Sequence, residues 1–206
     1  LSSGIFPVLS KIQNDRPRLL RVYRRLITSV ATITFPFVIF LMVAAQPIVV
    51  TLITEKWLPS VILLQLLLLA NLFTPMFTIN INVLNAQGQS ATSLKLELIK
   101  KTLIVISLIS CFSFGIEVML AGFVAANFLA CLASMASIKN SLHHFYRHQV
   151  GDLISTLTIS SLIGVITWII PYPAGTSAMK LLFMGVTFVI LYLLAVMIFL
   201  PEKWGE

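Results

Sequence analysis

Charge is scarce in this 206-residue chain: Asp, Glu, Lys and Arg together make up 10% of it, against about 25% in an ordinary soluble domain. Acid is scarcer still, with 7 Asp and Glu residues. So few charges cannot cover the surface of a water-soluble protein of this size. Cysteine is nearly missing too. Cys111 and Cys131 both fall inside apolar stretches, which excludes a disulfide framework and a thiolate metal site and leaves them as small packing residues. Alternating strands of about ten residues, which a membrane barrel requires, do not occur. Buried helices of a soluble protein would carry polar faces that these segments lack. No Gly-rich phosphate loop precedes a helix, and no intramembrane His–carboxylate pair offers acid–base chemistry. The expectation is therefore no enzyme, no catalytic residue, no metal and no cofactor. His143, His144 and His148 have no Cys or carboxylate pattern beside them and read as ordinary interfacial histidines. A net charge of +7 invites a nucleic-acid reading, but the basic residues follow membrane topology rather than one soluble face.

What is present in abundance is apolar sequence: 58% of the residues are hydrophobic and the mean hydropathy is +1.00. A crossing needs about 20 apolar residues at ~1.5 Å each. Leu26 to Thr54 and Val61 to Ala86 satisfy this. Thr102 to Ile138 would measure roughly 56 Å as one helix, so Gly115 and Glu117 divide it into a hairpin. The first arm starts near Lys95, with Lys100 and Lys101 snorkelling toward headgroups. Leu153 to Ile170 and Lys180 to Leu200 complete six expected crossings: 26–54, 61–86, 95–115, 118–138, 153–170 and 180–200. A basic segment at 1–25 precedes them and a short tail at 201–206 follows. Leu1 to Ser10 reads as the end of an apolar helix rather than a signal peptide, so more chain is expected upstream.

Charge placement gives an independent reading. With Lys11 to Arg25 in the cytoplasm, the cytoplasmic segments hold Lys11, Arg16, Arg18, Arg21, Arg24, Arg25, Lys95, Lys100, Lys101, Lys139, Arg147 and Lys203. The outside holds Lys56 and Lys180, which is the positive-inside asymmetry of an inner-membrane protein with both ends of the six-helix unit cytoplasmic. Trp57, Trp168 and Tyr172 mark the outer interface; Tyr23, Tyr146 and Trp204 mark the inner.

Three features bear on function. Asp15 caps a helix with Pro17 in its first turn, and Arg18, Arg21 and Arg25 then share one face. They read either as topogenic charge against anionic lipid or as a collar gathering a pyrophosphate-bearing lipid, since guanidinium forks suit phosphate oxygens. In the second crossing, Asn71, Thr74, Thr78, Asn82 and Asn85 form a stripe about 80° wide. Such groups cost free energy against lipid, so they serve as glue between helices or line a wet cavity. The length of the stripe and its asparagines favour the cavity; Asn80 lies on the opposite side, unassigned. Pro36, Pro47 and Pro75 sit inside spans, as kinks that are static or hinged. Two small-residue ridges, Gly122, Ala126, Ala130 and Ser134 in the fourth crossing and Ser107, Cys111 and Gly115 in the third, read as close packing surfaces. No Lys or Arg lies mid-span, and Glu97 and Glu117 lie near interfaces, so coupling-ion chemistry is not assigned to this chain.

Phe6-Pro7-Val8-Leu9-Ser10, then Asp15, Arg18 and Tyr23-Arg24-Arg25, resembles a segment of bacterial polysaccharide transporters. Phe35-Pro36, Pro47, Glu55-Lys56-Trp57, and the stretch from Asn80 and Asn82 through Leu84, Ala86 and Gly88 continue the likeness, which covers residues 1 to about 101. The pattern is similar to the colanic-acid exporter type within the multidrug/oligosaccharidyl-lipid/polysaccharide exporter superfamily; Thr54 and Gln89 depart from it. The resemblance implies an all-α bundle forming the second lobe of a two-lobed flippase, a missing N-terminal lobe as partner, and alternating access. It implies a lipid-linked oligosaccharide as substrate, touched by Asn71, Thr74, Thr78, Asn82 and Asn85 in the cavity and by Arg18, Arg21, Arg24 and Arg25 at the cytoplasmic rim. Rival readings are a drug antiporter of the same superfamily, a non-transporting scaffold for polysaccharide synthesis, and a membrane glycosyltransferase. The first and last call for carboxylates that this chain does not offer.

Overall fold

A computed structural model describes residues 15–142, 146–172 and 176–199. Expectations for residues 1–14, for His143 and His144, for the side chains of Arg147 and His148, and for the tail with Lys203 and Trp204 lie outside the described residues. The described chain is all-α. Its helices are α1 (Arg16–Val43), α2 (Ala45–Leu52), α3 (Ser60–Asn71), α4 (Thr74–Ala86), α5 (Ser90–Cys111), α6 (Ile116–Leu142), α7 (Tyr146–Ile169) and α8 (Ser177–Phe199).

Asp15 starts α1 by accepting a hydrogen bond from the Arg18 amide at 3.1 Å, and Pro17 sits where the helix has no internal donor to lose. The helix then sorts its side chains by period. Leu19, Tyr23, Ile27, Ala31 and Phe35 are all at most 1% exposed and recur every four residues, which places them on one inward face. Arg18, Arg21, Arg24 and Arg25 lie on the exposed side.

Two of the expected crossings are broken, each in register with a proline. α1 ends at Val43 and α3 ends at Asn71. These are the residues four before Pro47 and Pro75, whose rings lack the N–H that would have bonded those carbonyls. The chain therefore bends at Ala44 and at Leu72–Phe73. Pro36, by contrast, lies inside α1 without ending it.

The packing of α1 and α2 against α3 and α4, then α5 against α6 and α7 against α1, sets neighbouring spans in alternating direction. Gly115, with φ of +96°, turns the chain between α5 and α6 after a single 3-10 turn at Phe112–Phe114. Gly88, with φ of +74°, closes α4. Its amide bonds Asn85 O at 3.0 Å while the Gln89 amide bonds Leu84 O at 2.9 Å, the paired closure that a left-handed glycine permits.

Among the described residues, four stretches are long and apolar enough to cross a membrane by length and composition: Pro17–Val43, Ser60–Ala86, Ile116–Lys139 and Ser177–Met197. Leu153–Ile169 is a shorter apolar helix. In α5, Lys95, Glu97, Lys100 and Lys101 dilute the first half. Lys100 does not simply reach for headgroups: its Nζ lies 4.6 Å from the centre of the Phe77 ring, a cation–π contact joining α5 to α4. Most large apolar side chains of α5, α7 and α8 face outward, Ile109, Trp168 and Met197 among them. The core instead gathers around α1 and α4. This is a multi-pass membrane protein turned toward lipid.

The small-residue ridges meet as close contacts. A Cβ placed on Gly122 of α6 would land on Ser107 Oγ of α5 and 3.1 Å from Cys111 Sγ. Ala126, Ala130 and Ser134 continue that ridge and are buried. A second close crossing lies at Gly164 of α7, where a Cβ would sit 2.7 Å from Ile39 Cγ2 of α1.

Candidate functional site

The helix break at Leu72–Phe73 divides the polar stripe. Asn71 closes α3 and is exposed, and its Nδ2 donates to Leu67 O of its own helix at 2.9 Å. Thr74, Thr78, Asn82 and Asn85 belong to α4. Thr78 Oγ1 donates to Thr74 O at 3.1 Å, so two of the five side chains spend a donor locally. Asn85 is half-buried. Asn82 is 9% exposed, and its Nδ2 is buried with no hydrogen-bond partner among the described residues; the same holds for Thr74 Oγ1. A buried amide hydrogen left unbonded costs about 1–3 kcal/mol.

Asn80, on the other side of α4, has every polar atom engaged and is fully buried. Its Oδ1 accepts from Tyr23 Oη at 2.6 Å, and its Nδ2 donates to Ser134 Oγ at 2.8 Å. Ser134 Oγ passes its own hydrogen to Cys131 O at 2.7 Å. This relay ties α1, α4 and α6 together deep in the bundle. Sequence reasoning placed Ser134 in a packing ridge and left Asn80 without a role. The available signal was an asparagine off the stripe, together with a tyrosine on the inward face of α1.

The broken and bent places in α1 and α2 are also served from neighbouring helices. Pro36 leaves Thr32 O without its usual amide, and Tyr192 Oη of α8 donates to that carbonyl at 2.6 Å. At the Ala44 bend, Gln65 Nε2 of α3 donates to Met42 O at 2.9 Å. Pro47 and Pro75 thus mark two breaks, and the carbonyls near Pro36 and near the Ala44 break each take a hydrogen bond from a side chain of another helix.

The four arginines project from the first turns of α1, at the same end of the bundle as the close of α4 and the start of α5, since Tyr23 pairs with Asn80 and Ser93 Oγ bonds Ile81 O at 3.3 Å. Lys95, Lys100 and Lys101 therefore join them at one end. Lys56 and Lys180 belong to the opposite end, beyond the Ala44 bend. Among the described residues, no group of His, Cys, Asp and Glu could hold a metal ion.

These features define a class: a polytopic all-α membrane protein with proline-broken spans, amides at depth and charge gathered at one end. The comparisons with known proteins agree with it. A family model described as a polysaccharide biosynthesis protein matches residues 1–62. No curated protein sequence matches the chain. Among solved structures the chain is similar to the lipid II flippase MurJ in its inward closed conformation, with a TM-score of 0.79 at 17% identity over 96% of this chain. The chain spans 43% of that structure's length. The matched family and the matched flippase are both of the kind that the sequence resembles.

Proposed function

We propose that this chain forms one helical lobe of a flippase that carries a polyprenyl-pyrophosphate-linked oligosaccharide from the cytoplasmic to the periplasmic leaflet of a bacterial inner membrane. A second lobe faces it across a central cavity, and the two rock so that the cavity opens to each side in turn. The glycan passes within while the polyprenyl tail stays in lipid, and no bond is made or broken. The arginine end is cytoplasmic under the positive-inside rule, where guanidinium groups draw in the pyrophosphate.

The observation that carries this reading is the fold shared with a lipid II flippase over 96% of the chain. The buried amide hydrogens of Asn82 support it locally, because an amide at membrane depth gains most from a ligand that can accept its hydrogen bond. Neutral amides and hydroxyls also exchange partners among many sugars. One observation favours a second reading, a packed scaffold without transport: Asn71 and Thr78 are each bonded within their own helix.

A cysteine scan separates the two. With Cys111, Cys131 and each cysteine of the second lobe replaced by alanine in the full-length protein, single cysteines at 71, 74, 78, 82 and 85 are challenged with a membrane-impermeant maleimide. Reaction at these positions, slowed by lipid-linked oligosaccharide, is the flippase outcome. Protection at all five sinks the cavity and leaves the scaffold.

A further inference from the structure

A cavity of about 460 Å³ lies at the end of the bundle away from the arginines, between the Ala44 bend and the turn from α7 to α8. Pro47 and Met184, both buried, stand at its base, and most of the surface it exposes is polar. Its wall carries Trp168 and Tyr172, and its polar groups include the Gln46 amide and the Lys180 ammonium. None of the lining residues is acidic, so the Lys180 charge has no carboxylate opposite it within the site. Trp168 is 72% exposed and stands at the last turn of α7, while Tyr172 Oη is held by donation to Thr167 O at 3.0 Å. Tryptophan and tyrosine at the end of a span settle at headgroup level. A lysine there adds attraction for anionic lipid.

We infer that this cavity seats the headgroup of an anionic glycerophospholipid, its phosphate diester on Lys180 and its headgroup hydroxyls on the polar lining, with the acyl chains left to the surrounding lipid. The ammonium supplies the one charge that such a phosphate needs. Gln46 offers both donor and acceptor to headgroup hydroxyls, and the indole of Trp168 covers the apolar side. A zwitterionic lipid presents the same phosphate with its own cation attached and so competes with Lys180 for it. The seat touches the α1–α2 joint through Val43 and Pro47, so a lipid held there rests against one of the two bends in the lobe. The inference does not depend on what the protein transports.

Trp168 itself reports the test. In the full-length protein carrying Trp57→Phe and Trp204→Phe, with each tryptophan of the second lobe also changed to phenylalanine, reconstituted in bilayers of brominated phosphatidylglycerol or brominated phosphatidylcholine, quenching of Trp168 measures which lipid occupies the seat. The expected preference for phosphatidylglycerol is roughly fivefold, the scale of one lysine beside an anionic headgroup. It should vanish in Lys180→Gln, survive in Lys180→Arg, and be unchanged in Lys56→Gln at the same end. Equal quenching by the two lipids, or a preference that persists in Lys180→Gln, overturns the assignment. Short-chain polyprenyl pyrophosphate added at one per protein distinguishes the source. If it abolishes the preference at that ratio, the seat belongs to a carrier lipid and the glycerophospholipid assignment falls.

Discussion

Tyr192 donates its phenolic hydrogen to the carbonyl of Thr32 at 2.6 Å, and Thr32 is the residue whose backbone acceptor Pro36 has deprived of a partner. The bond spans 160 positions of sequence and mends a defect inside α1 from α8. With that carbonyl bonded, α1 runs on through Pro36, whereas the spans carrying Pro47 and Pro75 come apart.

Tyr192→Phe should therefore destabilise the protein by about 1–2 kcal/mol, in the range for an interhelical bond whose loss orphans a carbonyl. Pro36→Ala restores an amide to Thr32 O and should make the second change nearly harmless. Unfolding in detergent of the two single variants and the double variant checks this as a cycle. Additive losses would mean that the hydroxyl does not serve the proline gap.

Asn80→Leu removes two bonds of the relay at once, the one that Asn80 Oδ1 accepts from Tyr23 and the one that its Nδ2 donates to Ser134. A loss of about 2–3 kcal/mol is expected. Tyr23→Phe should cost less, because Asn80 Oδ1 then loses one bond while the rest of the relay stands. The same unfolding assay orders the variants, and an Asn80→Leu protein as stable as the parent would show that the relay contributes nothing.

Gly122→Ala should cost about 1–3 kcal/mol through overpacking, since the new methyl meets Ser107 Oγ. Ser107→Ala in the same protein trims the opposing side and should recover part of the loss. A Gly122→Ala protein with unchanged melting would mean that α5 and α6 separate without penalty.

Gly88→Ala tests conformation rather than space, because nothing lies within 4 Å of the added Cβ. Holding alanine at φ of +74° costs about 1 kcal/mol. Gly88→Asn should lose less, asparagine being tolerant of that region. Equal melting of all three proteins would show that the close of α4 is not held left-handed.

The sequence made the membrane class and the helix-on-helix ridges legible because both depend on local composition and spacing. Gly122 and Ser107 fall in the two ridges by inspection alone. The polar stripe was less legible. Its 80° width supposes one unbroken helix from Asn71 to Asn85, whereas the carbonyl gap before Pro75 ends α3 at Asn71. Asn80 stayed hidden for a different reason: its partners, Tyr23 and Ser134, lie 57 and 54 positions away, and no periodicity encodes which inward residues meet. Nor does a proline announce whether a distant hydroxyl will cover the acceptor it strands. Pro36, Pro47 and Pro75 look alike in sequence, yet α1 continues through the first while helices end four residues before the other two.

The contact between Gly122 and Ser107 also bears on how the bundle can move. Two helices in which the serine and cysteine side chains of one fill the glycine notch of the other have little slack for sliding past each other. α5 and α6 therefore travel as one plank, and α7 is clasped to α1 by the equally tight notch at Gly164. The interruptions at Ala44 and at Leu72–Phe73, where the helical ladder is already broken, are the places where such a bundle can bend while the planks keep their shape.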